Sequence, residues 1–278
     1  MAESGLKGTV QNWLKRMGVY HRVRASSVYD LYWRFADASL LKDRGLEVNF
    51  YRSVLAGFRR GNTIFDVGAN LGHKTDIFLR LGAKVIAIDP DPTNASILEQ
   101  SFLKYRLSRK PVTIVSKAVS DRSAVATLYL DEPGSAKNTL SSKWVDILRH
   151  DATRFGHTMG FGETRQVATT TLEDLIKTHG IPFYIKIDVE GHEPEVLRGL
   201  WRPVPWISFE VNLPEFRNEG LRCIELLCNL TTTGRFNYVV DCKAGIVLPK
   251  WLGPDQFAAT FGSCTEKSVE VFWKSDSQ

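Results

Sequence analysis

Long apolar runs are missing from this sequence. None approaches the roughly 20 residues that a helix needs to cross a bilayer. The N-terminus also lacks the apolar stretch of a secretory signal, because Lys7, Lys15 and Arg16 interrupt every short run. These absences argue against a membrane-spanning or secreted protein, and we expect a soluble protein of the cytoplasm.

Cysteine is scarce and forms no Cys-x-x-Cys pair. All four cysteines lie in the last quarter of the chain: Cys223, Cys228, Cys242 and Cys264. This spacing argues against a zinc site, and free thiols in a reducing compartment are the simplest interpretation.

The remaining composition is that of an ordinary globular protein, with 43% hydrophobic and 24% charged residues in 278. The formal net charge of +5 favours anionic partners without identifying them. The densest basic cluster follows a predicted helix: Lys104, Arg106, Arg109 and Lys110. We interpret this cluster as a solvated helix end and expect no nucleic-acid partner.

Residues 1–60 precede the first clear strand, and we expect a helical extension there. They carry two apolar stripes at helical spacing: Val10, Trp13, Leu14 and Met17, and then Tyr51, Val54, Leu55 and Phe58. The first stripe has basic neighbours, so its helix either packs on the main domain, which we favour, or makes a weak contact with a membrane surface. We expect the second helix to end at Gly61.

From residue 63 onward, short β-rich runs alternate with helical patterns. The predicted strands cover 63–67, 84–89, 112–116, 183–189, 206–211, 236–240 and 268–273. The predicted helices cover 71–81, 93–105, 171–179, 193–200 and 219–231. Apolar strands separated by helices indicate a mostly parallel sheet covered on both faces. We therefore predict a doubly wound, Rossmann-like α/β domain with seven strands over residues 61–278.

An insertion of about residues 124–168 interrupts this alternation. It begins with an added strand predicted at Ala124–Leu130, and residues 131–165 then show only weak periodicity. An insertion of this length in a compact α/β chain is usually a lid or a binding loop.

A glycine turn follows the first predicted strand and reads Asp66-Val67-Gly68-Ala69-Asn70-Leu71-Gly72. Glycine at such a turn lets a ligand approach the backbone closely. The dinucleotide pattern G-x-G-x-x-G is absent, because Asn70 occupies its second glycine position, and this disfavours a nicotinamide cofactor. A carboxylate at Asp66 suits the ammonium group of S-adenosylmethionine, so we expect the turn, Ala69 included, to bind that cofactor.

Asp89 ends the second strand, 17 residues after the glycine turn. A carboxylate there can accept hydrogen bonds from both ribose hydroxyls. Its alternative role is to cap the next helix, but Asp91 and Thr93 are better placed for that. Ser116 and Ala118, after the third strand, are placed to hold the adenine edge, although an ordinary turn explains them almost as well.

Charged side chains alternate along one face of the strand predicted at 183–189. Lys186, Asp188 and Glu190 share that face, although a central parallel strand is normally apolar. Buried charges are costly unless they are paired or used, so the alternatives are a structural ion pair and a functional site. We favour a functional role for Asp188 and Glu190, which lie at the carboxyl edge where ligands bind.

Three more polar residues lie near this edge. His192 is placed to act as a base beside two acids. Glu193 instead suits the first turn of the next helix. Glu210 follows on the next strand, and pairing of the two strands would bring it close to Asp188. Such a group either polarises a substrate hydroxyl or holds a divalent metal that does so.

Together these motifs resemble those of the FkbM-type methyltransferases. The likeness covers about residues 60–215, and its segments are Asp-Val-Gly-Ala-Asn-x-Gly, a strand ending Ile-Asp-Pro, Ala-Val-Ser-Asp and, most specifically, Lys-Ile-Asp-Val-Glu-Gly-His-Glu. It implies a class I methyltransferase fold, S-adenosylmethionine and O-methylation, often of sugars, glycolipids or polyketide natural products. By position, it assigns the ribose to Asp89 and the reacting centre to Asp188 and Glu190. It assigns the methionine end of the cofactor to Asp66, Gly68, Asn70 and Gly72.

We therefore predict an S-adenosylmethionine-dependent O-methyltransferase that acts on a hydroxyl of a sugar, glycolipid, polysaccharide or natural product. The candidate catalytic residues are Asp188, Glu190, His192 and Glu210, and Asp188 also contacts the cofactor. The alternatives are a nicotinamide-dependent oxidoreductase and a catalytically inactive module of the same fold. A nucleic-acid methyltransferase is disfavoured, because such enzymes often carry Asn-Pro-Pro-Tyr or Asp-Pro-Pro-Tyr where this chain has Asp-Val-Glu-Gly.

Overall fold

The computed structural model describes residues 38–103, 111–152 and 154–275, with side chains from residue 43. The strands in these ranges are β1 Thr63–Val67, β2 Lys84–Ile88, β3 Val112–Val115, β4 Ala118–Val119, β5 Val125–Leu130, β6 Glu163–Thr170, β7 Tyr184–Ile187, β8 Trp206–Asn212, β9 Arg235–Val239 and β10 Ser268–Lys274. The helices are α1 Ala38–Val54, α2 His73–Leu81, α3 Pro92–Ser101, α4 Ser142–His150, α5 Leu172–His179, α6 Glu193–Arg198, α7 Arg217–Leu230 and α8 Pro254–Gly262.

The main sheet has seven strands in the order β3-β2-β1-β7-β8-β10-β9. All neighbouring strands are parallel except β10, which runs antiparallel to both β8 and β9. The predicted mostly parallel seven-stranded sheet is therefore confirmed. Because β1, β2, β7 and β8 run in one direction, their carboxyl ends meet at one edge, where the candidate site lies.

Alternate residues of the central strands build two apolar layers. Phe65, Ile185 and Phe209 face a core that includes buried residues of α5, α7 and α8. Ile64 and Tyr184 face a second core that includes residues of α1, α2 and α3. Helices thus cover both faces of the sheet, which explains why its central strands are apolar on both sides.

The first helix ends earlier than the sequence predicted. The expectation that it extends to Gly61 was wrong, because α1 ends at Val54. Gly57 and Gly61 have φ angles of 85° and 92°, a left-handed conformation that cannot continue a right-handed helix. Phe58 lies beyond the helix, and its ring packs edge-on against Phe183 with centroids 5.6 Å apart. The packing of Phe58 in the turn after the helix therefore explains why the apolar spacing continues although the helix has ended. The apolar stripe at 10–17 lies outside the described residues.

The insertion adds a small sheet in the order β4-β6-β5, whose strand β4 precedes the insertion in the chain. The added strand predicted at Ala124–Leu130 is confirmed as β5, which pairs antiparallel with β6. Helix α4 was not predicted, and it buries Trp144, Val145 and Leu148 in the first core. Ser141 begins this helix by accepting a hydrogen bond from the backbone N–H of Trp144.

Other boundaries differ from the prediction by a few residues. The helix expected over 93–105 ends at Ser101 as α3, and the helices expected over 71–81 and 193–200 cover His73–Leu81 and Glu193–Arg198. Helix α8, over Pro254–Gly262, was not predicted at all.

Candidate active site

The glycine turn lies between the ends of β2 and β7. The backbone N–H groups of Gly68 and Ala69 donate to Ile88 O at 2.9 and 3.0 Å, which fixes the turn against β2. Gly68 has φ 82°, and a Cβ added there would lie 1.7 Å from Asp188 O. Only glycine fits, because that Cβ would collide with backbone. The group that approaches Gly68 closely is therefore the carbonyl of Asp188, whereas the sequence had suggested a ligand.

Asn70 and Gly72 continue the turn with left-handed φ angles of 46° and 81°. Asparagine is one of the few side chains that adopts this conformation readily. A Cβ at Gly72 would lie 2.5 Å from the ring of Phe102, so glycine also permits the packing of α3. The conformation of the turn directs the backbone N–H of Asn70 to Asp89 Oδ2 at 2.8 Å.

Asp89 is almost fully buried at the end of β2. Besides the Asn70 amide, its carboxylate accepts hydrogen bonds from Asp91 N at 2.9 Å and Asn94 Nδ2 at 3.1 Å. Burial raises the pKa of Asp89 to about 6, and these three donors limit the rise. The residue that caps α3 is Asp91, because its Oδ1 accepts the hydrogen bond from Thr93 N at 2.9 Å. Asp89 does not accept that hydrogen bond.

Asp66 is a buried carboxylate behind the turn, on the face of the sheet that α1 and α2 cover. Its Oδ2 accepts a hydrogen bond from Thr75 Oγ1 at 2.5 Å. Its Oδ1 has no hydrogen-bond partner among the described residues. Burial raises the pKa of Asp66, and the nearby charge of Lys186 opposes that rise.

Lys186 and Asp188 form a buried ion pair along β7. Lys186 Nζ donates to Asp188 Oδ2 at 2.7 Å, and the lysine side chain is only 4% exposed. Burial by itself lowers the pKa of Lys186, but the surrounding carboxylates, Asp188 first, raise it above its ordinary value. Burial acts to raise the pKa of Asp188, but Lys186 first, and then Glu210 and Lys137, lower it, so the pKa of Asp188 falls. Both groups are charged near neutral pH.

Glu210 lies beside Asp188, as pairing of β7 with β8 predicted. The register places Ile187 opposite Phe209, so the next residues of the two strands are Asp188 and Glu210. The negative charge of Asp188, followed by burial, raises the pKa of Glu210 to about 8. Glu210 therefore retains its proton near neutral pH, and its Oε1 accepts from Ser268 Oγ at 2.8 Å.

Glu190 follows β7 in a left-handed conformation, with φ 54°. Its Oε2 accepts hydrogen bonds from Trp144 Nε1 at 3.0 Å and Asn212 Nδ2 at 3.2 Å. Its Oε1 accepts from Lys137 Nζ at 3.3 Å. Burial raises the pKa of Glu190, and the charge of Lys137 opposes the rise.

His192 has both ring nitrogens beside protein groups. Nε2 shares a hydrogen bond of 3.0 Å with Ser120 Oγ, and Nδ1 lies 3.7 Å from a carboxylate oxygen of Glu195. Burial lowers the pKa of His192 although Glu195 raises it, so the ring is neutral at physiological pH.

Glu193 has the structural position that the sequence indicated. It is the first residue of α6, and its Oε1 accepts the backbone N–H groups of Val189 and Gly191 at 3.1 and 3.2 Å. These bonds close the turn that carries Glu190. Burial raises the pKa of Glu193 to about 8.

A cleft of about 540 Å³, a volume that includes open solvent at its mouth, lies at this edge of the sheet. The predicted site residues that line it are Gly68, Asn70, Asp89, Ala118, Asp188, Glu190 and His192. The predicted site residues outside its lining are Asp66, Ala69, Gly72, Ser116 and Glu210. Ser116 is exposed, whereas Asp66 lies behind the turn.

The cleft also has walls that the sequence did not assign. Residues 135–136 and 138–140 of the insertion line it, together with Asn94 and Lys117. Asn94 is recognisable only from its position one turn into α3, facing Asp89. The place of the insertion residues in the cleft depends on long-range packing of α4, so their roles could not be assigned from the sequence.

Within the described ranges, no group of three or more His, Cys, Asp or Glu side chains is arranged to hold a metal ion. No helix in the same part of the chain is long and apolar enough to cross a membrane.

Comparison with known proteins identifies the fold and the family. Residues 66–232 match the model of the methyltransferase FkbM domain, a segment that contains the glycine turn, the β7 edge and the insertion. The chain belongs to this family. The seven-stranded sheet with flanking helices is accordingly of the class I methyltransferase type.

Individual proteins are also similar to the chain. Hexuronic acid methyltransferase AglP of Haloferax volcanii is 24% identical over 196 residues, which cover 70% of each protein. The crystal structure of methyltransferase FkbM from Methylobacillus flagellatus KT superposes with a TM-score of 0.51 at 14% identity. That alignment covers 82% of this chain and 47% of the other, so the chain spans about half the length of that FkbM protein.

Proposed function

We propose that this protein transfers a methyl group from S-adenosylmethionine to a hydroxyl of a sugar or of a sugar-bearing acceptor. The observation that carries the proposal is one cleft lined by two chemically different sets of residues. The glycine turn and Asp89 form the first set, and Asp188, Glu190 and His192, which follow the neighbouring strand β7, form the second. The first set suits a nucleoside, and the second suits a hydroxyl that must lose a proton.

Two observations support S-adenosylmethionine beside the first set. Gly68 lines the cleft without a side chain between its backbone and a ligand. Asp89 holds three donors, and a carboxylate has about four acceptor positions, so it retains capacity for a ribose hydroxyl.

These residues would divide the cofactor between them. Asp89 would hold the ribose, the turn at Gly68–Asn70 the methionine end, and Ala118 with the apolar walls Leu128 and Leu140 the adenine. When bound, S-adenosylmethionine supplies a methyl group on a positively charged sulfur that is a good leaving group. Most of the acceleration then comes from positioning the reacting groups and excluding water.

The acceptor hydroxyl must lose a proton, and Glu190 is the best base of the four candidates. Asp188 is held ionised with a lowered pKa by Lys186, and Glu210 retains its own proton. His192 Nε2 shares a hydrogen bond with Ser120 Oγ, and burial lowers the pKa of the ring, which makes it a weaker base than an ordinary imidazole. Glu190 lines the cleft, and burial raises its pKa, which makes it a stronger base than an ordinary carboxylate.

A sugar acceptor is supported by one relative and by one cation on the cleft lining. The relative from Haloferax volcanii is named as a hexuronic acid methyltransferase, and Lys117 on the cleft lining offers a cation for such a carboxylate. Hexuronic acid glycosides are therefore the first acceptors to test.

The experiment is an acceptor screen with S-adenosylmethionine, read by mass spectrometry for the gain of one methyl group. Glucuronides and galacturonides are compared with neutral hexosides and with polyketide alcohols. We expect transfer to a sugar hydroxyl, and a turnover at least about 100-fold lower in Glu190→Gln. Transfer only to non-sugar alcohols contradicts the sugar assignment, and full activity of Glu190→Gln contradicts the choice of base.

A further inference from the structure

The insertion brings three residues to Glu190 from one short stretch of chain. Lys137, Thr139 and Trp144 all contact it, although they lie 46 to 53 positions away in sequence. Thr139 and Trp144 are fully buried, so these contacts belong to the folded core. The same stretch was the least periodic part of the sequence.

The backbone of Glu190 is held first. Its φ of 54° is unfavourable for residues other than glycine, asparagine and aspartate. Thr139 Oγ1 donates to Glu190 O at 2.7 Å and also accepts from Ser141 N at 2.9 Å, so one hydroxyl joins the strained residue to the start of α4. Strained backbone of this kind persists where the surroundings fix it, and it is common at functional sites.

The carboxylate is held next, by donors on both oxygens. Trp144 Nε1 and Asn212 Nδ2 donate to Oε2, and Lys137 Nζ donates to Oε1. Asn212 has its orientation set by Arg154, which donates to Asn212 Oδ1 at 2.7 Å and so turns the amide nitrogen toward Glu190. Lys137 also lies over the ring of Phe155 at 4.3 Å, which limits its freedom.

We propose that Lys137 and Trp144 are positioning residues that hold the Glu190 carboxylate ionised and aimed into the cleft, where it takes the proton of the acceptor hydroxyl. The insertion then helps to position the base of the site. This inference rests on the proposed function for the identity of the reaction, but the state of Glu190 can be measured without turnover.

The charges around Glu190 oppose one another. Asp188 disfavours a second negative charge at Glu190, and Glu210 carries its proton and adds little. Lys137 is the cation that offsets Asp188, while Lys186 is committed to Asp188 itself. Removing Lys137 therefore leaves burial and Asp188 acting together, and both raise the pKa of Glu190.

The test compares Lys137→Met with Lys137→Arg and with Lys143→Met. Lys143 lies on α4 of the same insertion but pairs with Glu219 at 2.6 Å, away from the cleft. In Lys137→Met we expect the acid limb of the kcat/KM profile to move up by about one pH unit, so that kcat/KM falls by up to about 10-fold at pH values on that limb. Affinity for S-adenosylhomocysteine stays within about twofold, Lys137→Arg restores most of the profile, and Lys143→Met leaves it unchanged.

A second measurement keeps the inference testable without activity. The side-chain carboxyl of Glu190 is followed by ¹³C NMR against pH in glutamate-labelled protein and assigned by its loss in Glu190→Gln. Its midpoint rises in Lys137→Met, and it rises less in Trp144→Phe, which loses the indole donor together with part of the buried ring. Unchanged midpoints in both variants overturn the inference. Absence of methyl transfer in the wild type, with these shifts present, overturns the proposed function instead.

Discussion

Lys186 Nζ lies 2.7 Å from Asp188 Oδ2, two positions along the same strand, and this pair supports the carboxylates at the sheet edge. The lysine also lies near Asp66 and Glu270, so one buried cation compensates the negative charge of several carboxylates. A single buried cation of this kind is costly to remove, because its partners lose their compensation together.

Lys186→Met should therefore lower the free energy of unfolding by about 3–5 kcal/mol. Urea denaturation at pH 7 measures it. Lys84→Met is the matched control, because Lys84 is exposed at the start of β2, and it should change stability by no more than about 0.5 kcal/mol. Similar losses in the two variants would contradict a supporting role for the buried pair.

Gly61 and Gly68 separate the cost of a left-handed backbone from the cost of a steric collision. Gly61 and Gly68 have similar φ angles of 92° and 82°, but a Cβ at Gly61 meets nothing within 4 Å, whereas one at Gly68 meets Asp188 O. Gly61→Ala should cost about 1–2 kcal/mol from its left-handed backbone alone. Gly68→Ala should cost clearly more and should abolish binding of S-adenosylhomocysteine in calorimetry. Equal losses of stability in the two variants would contradict the collision at Gly68.

Asp89→Ala should weaken binding of S-adenosylhomocysteine by at least about 10-fold, because the ribose loses its acceptor. Asp146→Asn, on the exposed side of α4, is the control and should bind normally. Since the pKa of Asp89 is about 6, wild-type affinity should also fall as the pH drops below 6, where the carboxylate takes up a proton. Unchanged affinity in Asp89→Ala would remove Asp89 from the cofactor site.

Glu193 gives a prediction for stability against pH. Its pKa is raised from 4.5 to about 8 in the folded protein, so the folded state keeps a proton that the unfolded state releases. Its contribution to stability is full below pH 4.5 and is lost as the pH rises through 8, by at most about 1.4 kcal/mol per pH unit. Glu193→Gln retains the acceptor for Val189 N and Gly191 N but cannot titrate. Urea unfolding at pH 5, 6.5 and 8 should therefore show a weaker decline in this variant, and parallel curves would contradict the assignment.

The sequence predicted what depends on local spacing. The central strands are apolar on both faces, and the positions of Gly68 and Asp89 after β1 and β2 followed directly from the order of strands and turns. The proximity of Asp188 and Glu210 also followed, once β7 and β8 were taken as neighbours.

The parts that were missed depend on contacts distant in sequence. Helix α8 is short and buries only Phe257 and Phe261, which is too little for a periodic signal. The contacts of Lys137 and Trp144 with Glu190 depend on how the insertion folds back on β7, which no local pattern encodes. Phe58 misled the helix boundary because its burial continued the spacing of a helix that had already ended.

The account depends most on the identity of the ligand in the cleft. Calorimetric titration of the wild-type protein with S-adenosylhomocysteine and, separately, with NAD tests it directly. We predict saturable binding of S-adenosylhomocysteine at one site per chain and no heat of binding with NAD. Binding of NAD, or no binding of S-adenosylhomocysteine, would contradict the account.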